Sequence, residues 1–350
     1  MCFNSRMPSS KKIAVLGSGA NGASIGADLI TAGHDVTLIE QWPAHVEAMR
    51  ANGLTIHMPD ADVHVEPRTL HLCEVATLRD RFDVVLMLMK AYDSRWAAQL
   101  IEPYLAADGL LAGVQNGMST DVIAGIVGPE RTVGTVIEIS STMYDPGVVT
   151  RHVGYDRSWF AVGAIDPAVE PRREEIAALL RHSGTVAVVD DIRATKWMKI
   201  ISNATVLVPT AIAGLSMADA IGHPGMRELM VRAGSEARDV GAAAGYPLLP
   251  IFGLSADDVA QPSTVVDTLL DALYSGFVLP GATTTVLQDW TKGRHSEVDD
   301  INGTVVAKGA RLGTATPVNA AIVEVAHRIE RGDLQPGTAN VGLLHSIVGA

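Results

Sequence analysis

The sequence predicts an α/β chain in two parts, a doubly wound, largely parallel sheet in front and an all-α unit behind. Three observations carry this reading. Over residues 11–190, short apolar runs rich in β-branched residues alternate with helical patterns, as expected of strands covered on both faces by crossover helices. A glycine turn, Gly17-Ser18-Gly19-Ala20-Asn21-Gly22, joins the first such run to the first helical pattern. From residue 191 to the C-terminus the periodicity is helical and strand-like runs are scarce.

Taken in order, residues 12–16 (KIAVL) form the first expected strand, and helical spacing then runs to Gly33. A second strand at 35–39 leads to a helix with Pro43 at its start and Gly53 after its end. These elements make a β-α-β unit. Further strands are expected at 84–89, 109–114, 132–140, 147–153, 159–165 and 185–190, with antiparallel members toward the end of the sheet. Helices are expected at 193–213, 223–245, 262–274, 296–312 and 316–331. A helical unit of about 150 residues is within the normal domain range, and two domains imply a cleft of the kind that holds small ligands.

Composition excludes several classes of function. With 350 residues, 47% of them hydrophobic, the chain can build two cores and is not a disordered polymer. Lys and Arg number 27 against 39 Asp and Glu, a net charge of −12. With no basic stripe, neither nucleic acid nor an anionic membrane surface is expected as a partner. The uncharged stretch 200–218 carries Ser202, Asn203, Thr205, Pro209 and Thr210, and so predicts a buried helix and no membrane span. Cys2 and Cys73 lack the spacing of zinc or redox motifs, which fits a reduced, cytoplasmic compartment. No His/Asp/Glu set has metal-ligand spacing, so no metal is expected. Residues 1–10 lack the apolar segment of a signal peptide and predict a flexible tail.

The glycine turn satisfies G-x-G-x-x-G in the setting that makes the pattern specific, after a strand and opening a helix. Glycine allows the tight turn and the close approach of backbone to a pyrophosphate, whose charge meets the free N–H groups of the helix start. Gly17, Ser18, Gly19, Ala20, Asn21 and Gly22 are therefore candidate dinucleotide-binding residues of a Rossmann-type domain spanning 11–190. Glu40 stands about 20 residues further on, where an acid hydrogen-bonds the adenine-ribose 2′-hydroxyl. A 2′-phosphate would meet a like charge there, so NADH is favoured over NADPH, with Arg50 and His45 the nearby groups that could serve a phosphate instead. Lys90 and Asn116 each follow a buried-looking strand, where side chains face the ligand crevice of an open α/β sheet.

In the helical part, Lys199 and Asn203 lie four residues apart, so a cation and a carboxamide share one helix face and can meet one small oxygen-bearing ligand. Glu297 falls in Ser296-Glu297-Val298-Asp299-Asp300, which reads as a helix start with Ser296 as N-cap and acids in the first turn.

Together, the glycine turn, Met89-Lys90, Gln115-Asn116-Gly117, the Trp197 to Asn203 segment, Leu287-Gln288-Asp289 and the Glu297 to Gly303 segment resemble the ketopantoate reductase (2-dehydropantoate 2-reductase) family. That resemblance covers residues 12 to about 330 in the same order, and Pro146-Gly147 and the helix end from Glu236 to Gly245 fit it as well. It implies a Rossmann domain, a helical C-terminal domain at 191–350 related to that of 6-phosphogluconate dehydrogenase, a homodimer formed through that domain, and reduction of a 2-oxo acid by NADH or NADPH. It further implies Lys199 as general acid, Glu297, Asn203 and Asn116 as substrate-holding groups, and Lys90 near substrate and nicotinamide. Two positions depart from the family pattern: Leu207 replaces an asparagine one turn beyond Asn203, and Thr285 replaces a serine. Losing the amide at Leu207 removes a partner for polar substrate groups, at about 1–3 kcal/mol per unpaired buried hydroxyl, and suits a more apolar 2-oxo acid, as in relatives of the mandelate type. A 3-hydroxy-acid dehydrogenase of the 6-phosphogluconate class and a non-catalytic NAD-binding regulator are the alternative expectations.

Overall fold

The computed structural model describes residues 11–276, 278–279 and 281–349, so the expected tail at 1–10 lies outside the described residues. Two compact units are present. One comprises the described residues up to Gln115 together with Ser119–Ile192, and the other comprises Asn116–Met118 with Arg193 onward.

Among the described residues, the first unit is built on twelve strands: β1 (Lys12–Leu16), β2 (Asp35–Glu40), β3 (Leu54–His57), β4 (Val63–Val65), β5 (Arg68–His71), β6 (Phe82–Met87), β7 (Leu105–Gly113), β8 (Thr132–Glu138), β9 (Ser141–Thr142), β10 (Val148–Arg151), β11 (Trp159–Ala164) and β12 (Thr185–Val188). Eight of them form one sheet in the order β12-β11-β8-β7-β6-β1-β2-β5. Every pairing in it is parallel except β8 with β11. Val15 of β1 sits between Leu38 and Leu86 in register, and each central strand carries a buried apolar run because helices cover both faces. Those helices are α1 (Ala20–Thr31), α2 (Pro43–Asn52), α3 (Ser94–Ile101), α4 (Thr120–Val127) and α5 (Arg173–Leu180).

Two expectations for the strands are corrected. The run at 84–89 is a strand at 82–87; Leu88 still donates its N–H to the Leu16 carbonyl at 2.7 Å, and Met89 begins the bend toward Lys90. Asp83 is tolerated inside this strand because its carboxylate accepts Lys12 N–H at 2.8 Å. The run at 147–153 does not join the main sheet. Its core becomes β10 in a second sheet, β4-β3-β10-β9, whose other strands are too short and too polar to show in the hydropathy pattern.

In the second unit the helices are α6 (Ile192–Ala213), α7 (Met217–Gly222), α8 (Met226–Ala243), α9 (Ala256–Val259), α10 (Val265–Gly276), α11 (Thr285–Thr291), α12 (Asn302–Leu312), α13 (Pro317–Glu330) and α14 (Ala339–Gly349). The backbones of α6 and α8 approach closely. A Cβ at Gly234 would stand 2.2 Å from Thr205 Oγ1, and one at Gly241 would stand 2.2 Å from Trp197 Nε1. The pairing of the earlier glycine with the later α6 residue makes the two helices antiparallel. Polar groups then lock the bundle. Glu236 of α8 accepts the backbone N–H groups of Val318 and Asn319 at 2.8 and 2.9 Å, a carboxylate at the positive end of α13. Asn302 donates to Asn319 Oδ1 at 2.8 Å and to the Ala204 carbonyl of α6 at 3.2 Å.

One helix boundary also differs. The segment expected at 296–312 begins its helix only at Asn302, and Ser296 does not cap it. Ser296 instead donates its hydroxyl to Glu330 at 2.7 Å, with its backbone N–H adding 3.1 Å. A charged acceptor is the stronger partner for a buried hydroxyl, and residues 297–301 are left as turns.

Candidate active site

At the carboxyl edge of the main sheet, Gly17 follows β1 with φ at +90°, a conformation only glycine adopts without strain. A Cβ there would strike Met89 N at 2.7 Å, and one on Gly22 would strike the Gly17 carbonyl at 2.1 Å. Beside Gly19, by contrast, an added Cβ would meet no atom within 4 Å. The first and third glycines thus hold the turn closed, while the second leaves open room for a phosphate at the start of α1. Asn21 Oδ1 in the same turn is buried without a protein hydrogen bond. These residues fit a dinucleotide.

Glu40 ends β2 with 5% of its surface exposed, and its carboxylate accepts Trp42 N–H at 2.9 Å. The two nearby groups considered for a 2′-phosphate, Arg50 and His45, are committed elsewhere. Arg50 donates to the Thr69 carbonyl at 3.0 Å, to Glu47 at 3.1 Å and to Glu74. His45 is fully buried, with Nε2 at 3.0 Å from the Ser18 carbonyl and Nδ1 accepting Gly147 N–H at 2.8 Å. Lys90 is half-buried after β6. Its carbonyl and that of Met89 receive the Gln115 amide at 3.3 and 2.6 Å, and Ser94 and Ser119 donate to that amide's oxygen at 3.2 and 2.9 Å. Gln115 therefore pins the turns after β6 and β7 to each other.

In the second unit, Asn203 of α6 donates from Nδ2 to Asn116 Oδ1 at 3.2 Å, which brings together two residues 87 positions apart. Lys199 lies one turn earlier on the same helix, half-buried, with Nζ 5.1 Å from the centre of the Phe252 ring. Phe252 has φ at +57°, unusual for a bulky side chain and alone of its kind among the described non-glycine residues. Leu207 is half-buried one turn beyond Asn203. Thr285 is exposed at the first position of α11, whose N-cap is Thr284, with its hydroxyl accepting Leu287 N–H at 3.3 Å.

Glu297 is 5% exposed in the turn before α12. Its charged neighbour is Lys196, which sequence reasoning passed over. Lys196 is 2% exposed; burial lowers its ammonium to about 8, against the raising effect of the Glu297 carboxylate. Its signal was its position three residues before Lys199 and seven before Asn203, the spacing of one helix face. Phe252 gave no signal at all, because its loop has no periodicity. Among the described residues, no group of three His, Cys, Asp or Glu could hold a metal ion. No described helix is long and apolar enough to cross a membrane.

A parallel sheet with a glycine turn shaped for a dinucleotide, followed by a helical unit whose first helix carries a lysine and an asparagine, the latter paired with Asn116, fits a nicotinamide-dependent oxidoreductase acting on the CH–OH group of a hydroxy acid. The chain belongs to the ketopantoate reductase family: the model of ketopantoate reductase PanE/ApbA matches residues 13–165, and that of its C-terminal part matches residues 191–330. It is 26% identical over 327 residues to the 2-dehydropantoate 2-reductase of Archaeoglobus fulgidus, covering 92% of this chain and 99% of that one. The PanE/ApbA family ketopantoate reductase from Ralstonia eutropha has the same fold, with a TM-score of 0.78, 26% identity and coverage of 92% and 99%. So does D-mandelate dehydrogenase in its ternary structure with NADH and anilino(oxo)acetate, with a TM-score of 0.81, 23% identity and coverage of 92% and 99%.

Proposed function

We propose that this chain reduces a small 2-oxo acid with an apolar side chain to the 2-hydroxy acid, using NADH. The observation that carries the reading is the α6 face on which Lys199 precedes Asn203, itself bonded to Asn116, while Leu207 follows. Bound NADH supplies the hydride that reaches C2 of the substrate. Lys199 Nζ donates the proton to the ketone oxygen and, as a cation, stabilises the alkoxide that develops there. The Asn203 and Asn116 amides and the Glu297 carboxylate hold the substrate, with Thr285 contributing a hydroxyl and Lys90 serving the substrate and nicotinamide end. Leu207 offers an isobutyl group where an amide would favour a hydroxylated side chain, so ketopantoate is disfavoured against apolar 2-oxo acids.

NADH is preferred because Glu40 is an acceptor suited to a ribose 2′-hydroxyl and repels a 2′-phosphate, and because Arg50 and His45 are already engaged. That D-mandelate dehydrogenase, with the same fold, holds NADH is consistent with this. The helical unit is proposed to form a homodimer, and the enzyme to act in the cytoplasm.

The test is a steady-state panel of ketopantoate against several apolar 2-oxo acids with each cofactor. An apolar substrate and NADH should win by about tenfold or more in kcat/KM, the effect of one lost or mismatched polar contact. A strong preference for ketopantoate with NADPH would overturn both specificities. Lys199→Met should lower kcat by on the order of a hundredfold or more, and a folded variant turning over at the wild-type rate would remove the proposed acid.

A further inference from the structure

His45 is fully buried in the first turn of α2, and neither ring nitrogen faces solvent. Gly147 N–H can only donate, so Nδ1, at 2.8 Å, carries no proton. The proton of the neutral ring then sits on Nε2, which donates to the Ser18 carbonyl at 3.0 Å. Burial lowers the pKa of the ring against the opposing pull of that carbonyl, which favours this neutral tautomer.

Ser18 is the second residue of the glycine turn, and its peptide bond to Gly19 is planar and trans. In a trans peptide the C=O and the following N–H point in opposite directions. A carbonyl drawn inward to His45 therefore turns Gly19 N–H away from the protein interior, at the glycine where an added Cβ would meet no other atom within 4 Å.

We propose that His45 is a positioning residue for nucleotide binding, which orients the Ser18–Gly19 peptide so that its N–H meets the pyrophosphate. The inference rests on the dinucleotide reading of the glycine turn and adds to it a residue outside the motif. Two hydrogen bonds also link the turn, through one imidazole, to Gly147, a residue of the second sheet's hairpin more than a hundred positions away.

Three variants separate the roles of the two nitrogens. In His45→Gln the amide N–H2 reaches the place of Nε2 and can still donate to Ser18. In His45→Asn the amide oxygen takes the place of Nδ1, accepts from Gly147 and cannot reach Ser18. His45→Leu keeps the volume and loses both bonds. Dissociation constants for NADH, ADP and adenosine are measured by fluorescence titration and competition on the full chain. His45→Asn and His45→Leu should weaken NADH and ADP by about tenfold, one oriented hydrogen bond to an anion. Adenosine, which lacks the pyrophosphate, should bind as before, and His45→Gln should restore ADP to near the wild-type value. Equal ADP affinity in the Asn and Gln variants, or a matching loss for adenosine, would overturn the inference, as would failure of all three to fold. A wild-type chain that binds neither NADH nor ADP would overturn the dinucleotide reading itself, and the inference with it.

Discussion

Lys196 carries an ammonium at 2% exposure on a helix already crowded by Trp197 and Thr205, and its position has a consequence for stability against pH. Its folded value lies near 8 against the ordinary 10.5, chiefly because burial penalises the charge. Below pH 8 folded and unfolded chains both hold the proton, and the cost of burying it is fully present. Between pH 8 and 10.5 the folded state releases the proton while the unfolded state keeps it, so stability rises with pH, by roughly 3 kcal/mol for this group. Urea midpoints measured at both ends of that window should rise in the wild type and much less in Lys196→Met; equal rises would refute the assignment. At the same scale, Trp197 donates to the Ala237 carbonyl at 2.9 Å and has Lys308 5.5 Å over its ring. Gly241→Val would drive a branched side chain into this indole, a backbone-to-ring clash expected to cost at least 1–3 kcal/mol, about the range of overpacked cores. Chemical denaturation of that variant measures it.

Among the elements, α1 shows how a buried charge is made tolerable. Asp28 near its end accepts Arg151 of β10 at 2.8 Å and the Tyr155 hydroxyl at 2.9 Å, while Arg151 also donates to Ser158 at 2.8 Å and to the Ser183 carbonyl. Burial raises the Asp28 pKa against the pull of Arg151, and the Tyr155 phenol is pushed up to about 12. Asp28→Ala leaves the guanidinium of Arg151, 1% exposed, without its counter-charge. The expected loss is about 3–5 kcal/mol, read from urea unfolding, whereas Glu174→Ala at the exposed, solvent-screened Arg181 pair should leave the urea midpoint close to that of the wild type. The long strands and amphipathic helices were legible in the sequence because each buries a face with a regular period. β3, β4, β5 and β9 were not, since two to four residues punctuated by His and Thr carry no period. Ser296 misled for a related reason: N-cap chemistry is local, and its actual acceptor, Glu330, lies 34 residues away.

For the whole molecule, a cofactor that binds only the folded chain must stabilise it. NADH at a hundred times its dissociation constant should add about 2.7 kcal/mol and raise Tm in a concentration-dependent way; a flat thermal shift would contradict cofactor binding. Sedimentation at micromolar concentration should show a dimer, and a monomer throughout would remove the proposed assembly of the helical unit. The sequence by itself determined the alternation of the longer strands with helices, the glycine turn and the Lys199/Asn203 spacing, because these depend on residues a few positions apart and on backbone periods of two and 3.6. Only the tertiary structure decided that Asn116 joins Asn203, that Lys196 is buried with Glu297 as its charged neighbour, and that the buried His45 ring is bonded to the Ser18 carbonyl and to Gly147. Those contacts join positions tens of residues apart or more, and a side chain's partner and burial are set by which segments the folded chain packs together.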